Sequence, residues 1–119
     1  MDSDAFLNRL RGNKARAYQV YQVFLGEYSD IARQIKKSVN QGDYSTVKRQ
    51  LHGLKGAASN LVIPALFQCA EELEHFINKQ EMQQINEKIE WLAVLMDNTS
   101  HQIRSVLLES DRASETTSS

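Results

Sequence analysis

The stretch Asp43-Tyr44-Ser45-Thr46-Val47-Lys48-Arg49-Gln50-Leu51-His52-Gly53-Leu54-Lys55-Gly56-Ala57-Ala58-Ser59-Asn60-Leu61 decides the fold class. Val47, Leu51, Leu54, Ala58 and Leu61 recur in steps of four and three, the spacing that lines one face of an α-helix and that no alternating strand produces. Asp43 or Ser45 can cap its start. The same period extends outward in both directions. Upstream, beyond the break Asn40-Gln41-Gly42, the residues Ala17, Tyr21, Phe24, Tyr28, Ile31 and Ile35 predict one long helix from Lys14 to Val39. Ser3 caps a short helix from about Asp4 to Leu10, ended by Gly12-Asn13. Downstream, Val62-Ile63 makes a turn and Pro64 opens a helix through Leu66, Ala70, Leu73 and Ile77 that stops near Asn78. After Lys79-Gln80 a last long helix carries Met82, Ile85, Ile89, Leu92, Met96, Thr99, Ile103 and Val106. Loops of a few residues force successive helices antiparallel. The prediction is an all-α chain: an antiparallel up-and-down four-helix bundle with a short additional N-terminal helix. The domain is expected over residues 1–108, and the Ser/Thr-rich, apolar-poor stretch 109–119 is expected to be a disordered tail.

A chain of 119 residues holds one core of this kind and not two. The formal net charge is −1, and no Lys/Arg cluster interleaved with aromatics is present, which argues against nucleic acid as a partner. No apolar run approaches the roughly 20 residues of a membrane span, and the N-terminus lacks a signal-peptide pattern. Direct membrane contact is not expected; the chain reads as cytoplasmic and monomeric. Cys69 is the only cysteine, which excludes an internal disulfide.

A bundle implies no function by itself, so the chemistry rests on the polar side of the helix quoted above. At about 100° per residue, His52 points roughly 140° from the centre of the buried stripe and is not a core histidine. Lys55, Gly56 and Ser59 follow three, four and seven residues later and share its flank or face. A free imidazole nitrogen is nucleophilic near neutral pH, and a nearby cation can hold phosphoryl oxygens. Gly53 and Gly56 each cost a helix interior about 1 kcal/mol relative to alanine. Open space for an incoming domain would explain them. These residues alone leave a solvated surface histidine, phosphoryl chemistry and metal chemistry all open.

The run His52-Gly53-Leu54-Lys55-Gly56-Ala57-Ala58, with Leu66 and Glu72-Leu73-Glu74 following, resembles the H-x-L-K-G-[SA]-[SA] signature of bacterial histidine-containing phosphotransfer (HPt) domains. The resemblance covers roughly Asp4 to Leu108, in helix order as well as motif. It implies that His52 is phosphorylated, that Lys55 stabilises the phosphoryl group and that Gly56 keeps the face open. It further implies response-regulator receiver domains as partners, with a phosphoryl group moving from one receiver aspartate to His52 and on to another. The family commonly has glycine about ten residues after the histidine. This chain has Val62 there, so a different path into the next helix is expected.

Glu74 lies about a quarter turn from its helix's buried stripe, at a position that often holds Glu or Gln in the family. It is the candidate to orient the His52 ring. Gly53, Ser59, Phe67 and Val23 are candidates for receiver docking, the last two because they point away from their stripes. His75 and His101 fall opposite their apolar stripes on other helices, so no metal site is expected, although Glu72-Leu73-Glu74-His75 contains one Glu-x-x-His spacing. Cys69 reads as packing. Trp91 and Leu95 are expected to receive the N-terminal helix through Phe6 and Leu10. No nucleotide-binding fingerprint occurs, so neither a cofactor nor autonomous kinase activity is expected; the chain suits the C-terminal part of a hybrid sensor histidine kinase and a free-standing carrier equally. The rival from another class is a non-catalytic helical interaction module.

Overall fold

In the computed structural model, which describes the backbone of residues 1–117 and side chains as far as residue 109, the apolar periods become six helices. These are α1 (Ser3–Arg9), α2 (Lys14–Tyr28), α3 (Ile31–Asn40), α4 (Tyr44–Asn60), α5 (Pro64–Asn78) and α6 (Met82–Thr117). No strand occurs among the described residues. Helices α3, α4, α5 and α6 make a closed ring of neighbours: α3 packs on α4, α4 on α5, α5 on α6 and α6 on α3. α2 rests on α6, and α1 on α2.

The stripes named by spacing face the centre of this ring. Leu51, Leu54, Ala58, Leu66, Ala70, Leu73, Ile85, Leu92 and Ile103 are fully enclosed. Each leucine or isoleucine so buried contributes roughly 1.5–3 kcal/mol from removal of apolar surface from water. Asp43 caps α4, accepting from the Thr46 backbone N–H at 3.2 Å, and Pro64 takes the first turn of α5.

Three expectations are corrected. The single helix from Lys14 to Val39 is two, broken at Ser29-Asp30, where Asp30 leaves helical geometry (φ −110°, ψ 16°) and pairs with Arg33. The apolar stripe continues across the break through Tyr28, Ile31 and Ile35, which is why periodicity alone does not reveal it. The cap of α1 is Asp2, whose carboxylate accepts from the Ala5 N–H at 2.9 Å, one residue before Ser3. Phe6 is buried on Tyr21, with ring centroids 5.1 Å apart, whereas Trp91 is 51% exposed in a shallow α5–α6 groove beside Cys69, Lys88 and Leu95. α1 is therefore seated by α2. The backbone of α6 is helical to Thr117, and residues 118 and 119 lie outside the described residues.

Three consecutive helices end in one way. At the ends of α3, α4 and α5 a residue in the left-handed region follows the C-cap: Gly42 (φ 70°), Val62 (φ 57°) and Gln80 (φ 56°). The next N–H in each case reaches back to a carbonyl five residues earlier: Asp43 to Ser38, Ile63 to Ala58 and Glu81 to Phe76. This is the Schellman arrangement, which satisfies carbonyls a helix end leaves unpaired. Val62 thus takes the left-handed conformation that glycine ordinarily supplies. The valine is absorbed as local strain and does not move the residue out of that region.

Candidate functional site

His52 stands exposed on the outer side of α4, between the fully buried Leu51 and Leu54 in sequence but on the opposite face. Its ring is free to meet a partner. On one flank, a turn along α4, the Lys55 ammonium lies 3.0 Å from a carboxylate oxygen of Glu74 on α5. Both side chains are partly exposed, so the pair contributes at most about 1 kcal/mol to stability. The pair holds the Lys55 ammonium on the α5 side of α4.

Glu74, the candidate to orient the His52 ring, meets Lys55. No hydrogen bond joins it to the His52 ring among the described residues, so the structure does not bring together the expected orienting pair. Ser59 is exposed on the same face, and its carbonyl accepts from Arg9 Nη1 at 2.9 Å. Phe67 is half-buried and lines an open apolar groove of about 410 Å³ with Val62, Ile63, Pro64 and Ser59. Val23 is 58% exposed on α2, which packs chiefly against α6 and α1.

The two glycines of the motif differ in what surrounds them. A β-carbon added at Gly56 would meet nothing within 4 Å, so that position is open to the outside. At Gly53 it would stand 3.0 Å from the Tyr28 hydroxyl. Gly53, read from sequence as a docking candidate, is first of all the place where Tyr28 approaches α4. Tyr28 itself escaped sequence reading because it continues the apolar stripe of α2 and looks like core. The available signal was a helix-interior glycine whose cost had no single assigned cause.

Among the described residues the remaining titratable groups make no second centre. Lys88 Nζ donates to Glu72 at 2.6 Å, and that hydrogen bond, above all, holds the Glu72 carboxyl below its ordinary range. Glu72 is thus occupied, and His75 and His101 are exposed on separate helices. No cluster of three or more His, Cys, Asp or Glu side chains suited to a metal occurs among the described residues. Burial pushes the Cys69 thiol up to about 11, which keeps it protonated and unreactive at neutral pH. No helix among the described residues is long and apolar enough to cross a membrane.

This arrangement offers an exposed imidazole, an ion-paired lysine a turn away along α4 and an open position at Gly56. The sequence model of the Hpt domain matches residues 19–113. The chain belongs to the Hpt domain family, whose chemistry is histidine phosphotransfer in phosphorelays. Neither a curated protein nor a solved structure matches it. α1 and the first residues of α2 precede the matched span.

Proposed function

We propose that this domain is a phosphorelay carrier that takes a phosphoryl group on His52 from a receiver-domain aspartate and passes it to the aspartate of another receiver. The observation that carries the reading is the exposed His52 set between Lys55 and the open position at Gly56, in a chain of the Hpt family. In the forward step an imidazole nitrogen attacks the phosphorus of the receiver's acyl phosphate. The N–P bond forms, the P–O bond to the aspartate breaks, and the carboxylate leaves. Lys55 offsets the negative charge of the phosphoryl oxygens, and its ion pair with Glu74 positions it before the group arrives. Gly56 lets the receiver's surface come close. The return step is the reverse on a second receiver.

The receiver brings the metal and most of the charge stabilisation that phosphoryl transfer needs, so the carrier requires neither ATP nor a metal of its own. In this reading the ring α3–α6 is an antiparallel up-and-down bundle acting as a monomer on the cytoplasmic side, free-standing or within a hybrid sensor kinase. Gly53, Ser59, Phe67 and Val23 remain docking candidates, with Ser59 and Phe67 favoured by the apolar groove they share.

The test is incubation with a phosphorylated receiver. Label should appear on the wild-type chain as an acid-labile phosphate and be absent from His52→Gln, whose thermal stability should stay within about 0.5 kcal/mol of wild type because the side chain is exposed. Persistent label in that variant overturns the assignment of His52. No label on the wild-type chain favours the non-catalytic interaction module.

A further inference from the structure

The side chains around His52 are arranged asymmetrically. At about 100° per residue along α4, Lys55 lies on one flank of the histidine, while Gly56 and then Gly53 lie on the other. Neither glycine carries a side chain, so the strip of helix surface running from the imidazole toward the Gly53 flank is bare. At the far side of that strip sits the Tyr28 hydroxyl, at the 3.0 Å approach to the β-carbon position of Gly53.

Tyr28 is held there. Its ring is half-buried and packs on Phe24, with centroids 5.3 Å apart, at the last turn of α2. The hydroxyl has no hydrogen-bond partner among the described residues. Desolvation, with a smaller contribution from the Glu27 charge, raises its pKa above the ordinary tyrosine value, so it remains a proton donor throughout the neutral range.

A phosphoryl group on His52 would bring about two negative charges and three acceptor oxygens into this gap. We infer that Tyr28 is a positioning residue for the phosphorylated state, its hydroxyl donating a hydrogen bond to a phosphoryl oxygen on the flank opposite Lys55, across the strip that Gly53 and Gly56 leave clear. Gly53 is then required because any side chain at that position would displace the hydroxyl. The inference rests on the carrier reading of His52 and adds to it a second, uncharged donor from a different helix.

The full chain is labelled from a phosphorylated receiver domain, and the label is followed by phosphorus NMR and by its rate of loss once the receiver is removed. Tyr28→Phe should shorten the phosphohistidine lifetime by roughly three- to tenfold, the effect of losing one hydrogen bond to a charged group at a partly exposed site, and should shift the phosphorus resonance. Gly53→Ala should do the same with tyrosine in place. In a Tyr28→Phe background Gly53→Ala should have no further effect on lifetime, because the group it displaces is already gone. Melting temperatures of all three variants separate these effects from loss of fold. Wild-type label with an unchanged lifetime and resonance in Tyr28→Phe overturns the role of Tyr28 and leaves the carrier reading standing. No label on the wild-type chain removes both.

Discussion

The two turns that bracket α4 have the same backbone and opposite chemistry. Gln41-Gly42-Asp43 and Leu61-Val62-Ile63 each run from a C-cap through a left-handed residue to the N-cap of the next helix, closed by the same pair of reaching-back hydrogen bonds. In the first, every residue suits its place: glycine takes the left-handed position, and Asp43 caps α4 with its own carboxylate. The second has a β-branched residue in the left-handed position and an isoleucine at the N-cap, with no side-chain cap. What holds it is tertiary. Ile63 is 1% exposed in the core, the Val62 carbonyl accepts from the Asp2 N–H at 3.1 Å, and Arg9 covers the Ser59 carbonyl. One turn is stable by local chemistry, the other by what is packed on it.

The comparison can be broken most forcefully at Ile63. Ile63→Ala should cost about 2–4 kcal/mol, since it removes both a buried side chain and the anchor of a turn that has no cap of its own. Asp43→Ala, at the matching position, should cost clearly less, since it removes only an exposed cap. Urea unfolding of both variants measures the difference, and equal losses would mean the second turn is not held by its apolar anchor.

Exchanging the left-handed residues comes next in size. Gly42→Val should destabilise by about 1–2 kcal/mol through backbone strain alone, because a side chain there meets nothing within 4 Å. Val62→Gly should do the reverse, but by only about 0.5 kcal/mol, because relief of strain is partly offset by the freedom glycine gains in the unfolded chain. A loss of stability in Val62→Gly would show that the valine's packing on the α4–α5 groove outweighs its strain.

The same contrast explains what could be read in advance. The apolar stripes of α4, α5 and α6 name the core because burial follows periodicity, and the His52 motif stands out because its polar face breaks that rule with a lysine and two glycines. The break at Ser29-Asp30 hides because the stripe passes through it without losing phase. Tyr28 hides for a related reason: its place in the stripe is real, and only the three-dimensional approach of its hydroxyl to Gly53 shows that one end of the ring faces the site. The Glu74 carboxylate meets Lys55, a pairing that spacing cannot select, since it places a side chain on a face but does not choose between His52 and Lys55 one turn apart.

The smallest effect sharpens the comparison from the side of charge. The Asp43 carboxyl is held below its ordinary value near 3.8, first by the hydrogen bond from the Thr46 hydroxyl and then by that from the Thr46 backbone N–H. A carboxyl whose pKa is lowered by folding stabilises the native state when ionised. That contribution is complete above the unfolded value near 3.8 and is lost as the pH falls from there through the lower folded value. The turn at Ile63 has no such group at its N-cap, so it should contribute nothing to stability in that window. Asp43→Asn keeps a capping oxygen and should differ little from wild type at pH 7. As the pH falls below about 3.8 the wild-type chain should lose stability more steeply than the variant, because only the carboxylate takes up a proton on unfolding there. Thermal melts across that range provide the measurement. Parallel curves would mean that the Asp43 cap works through its geometry alone, and that its charge adds nothing that asparagine lacks.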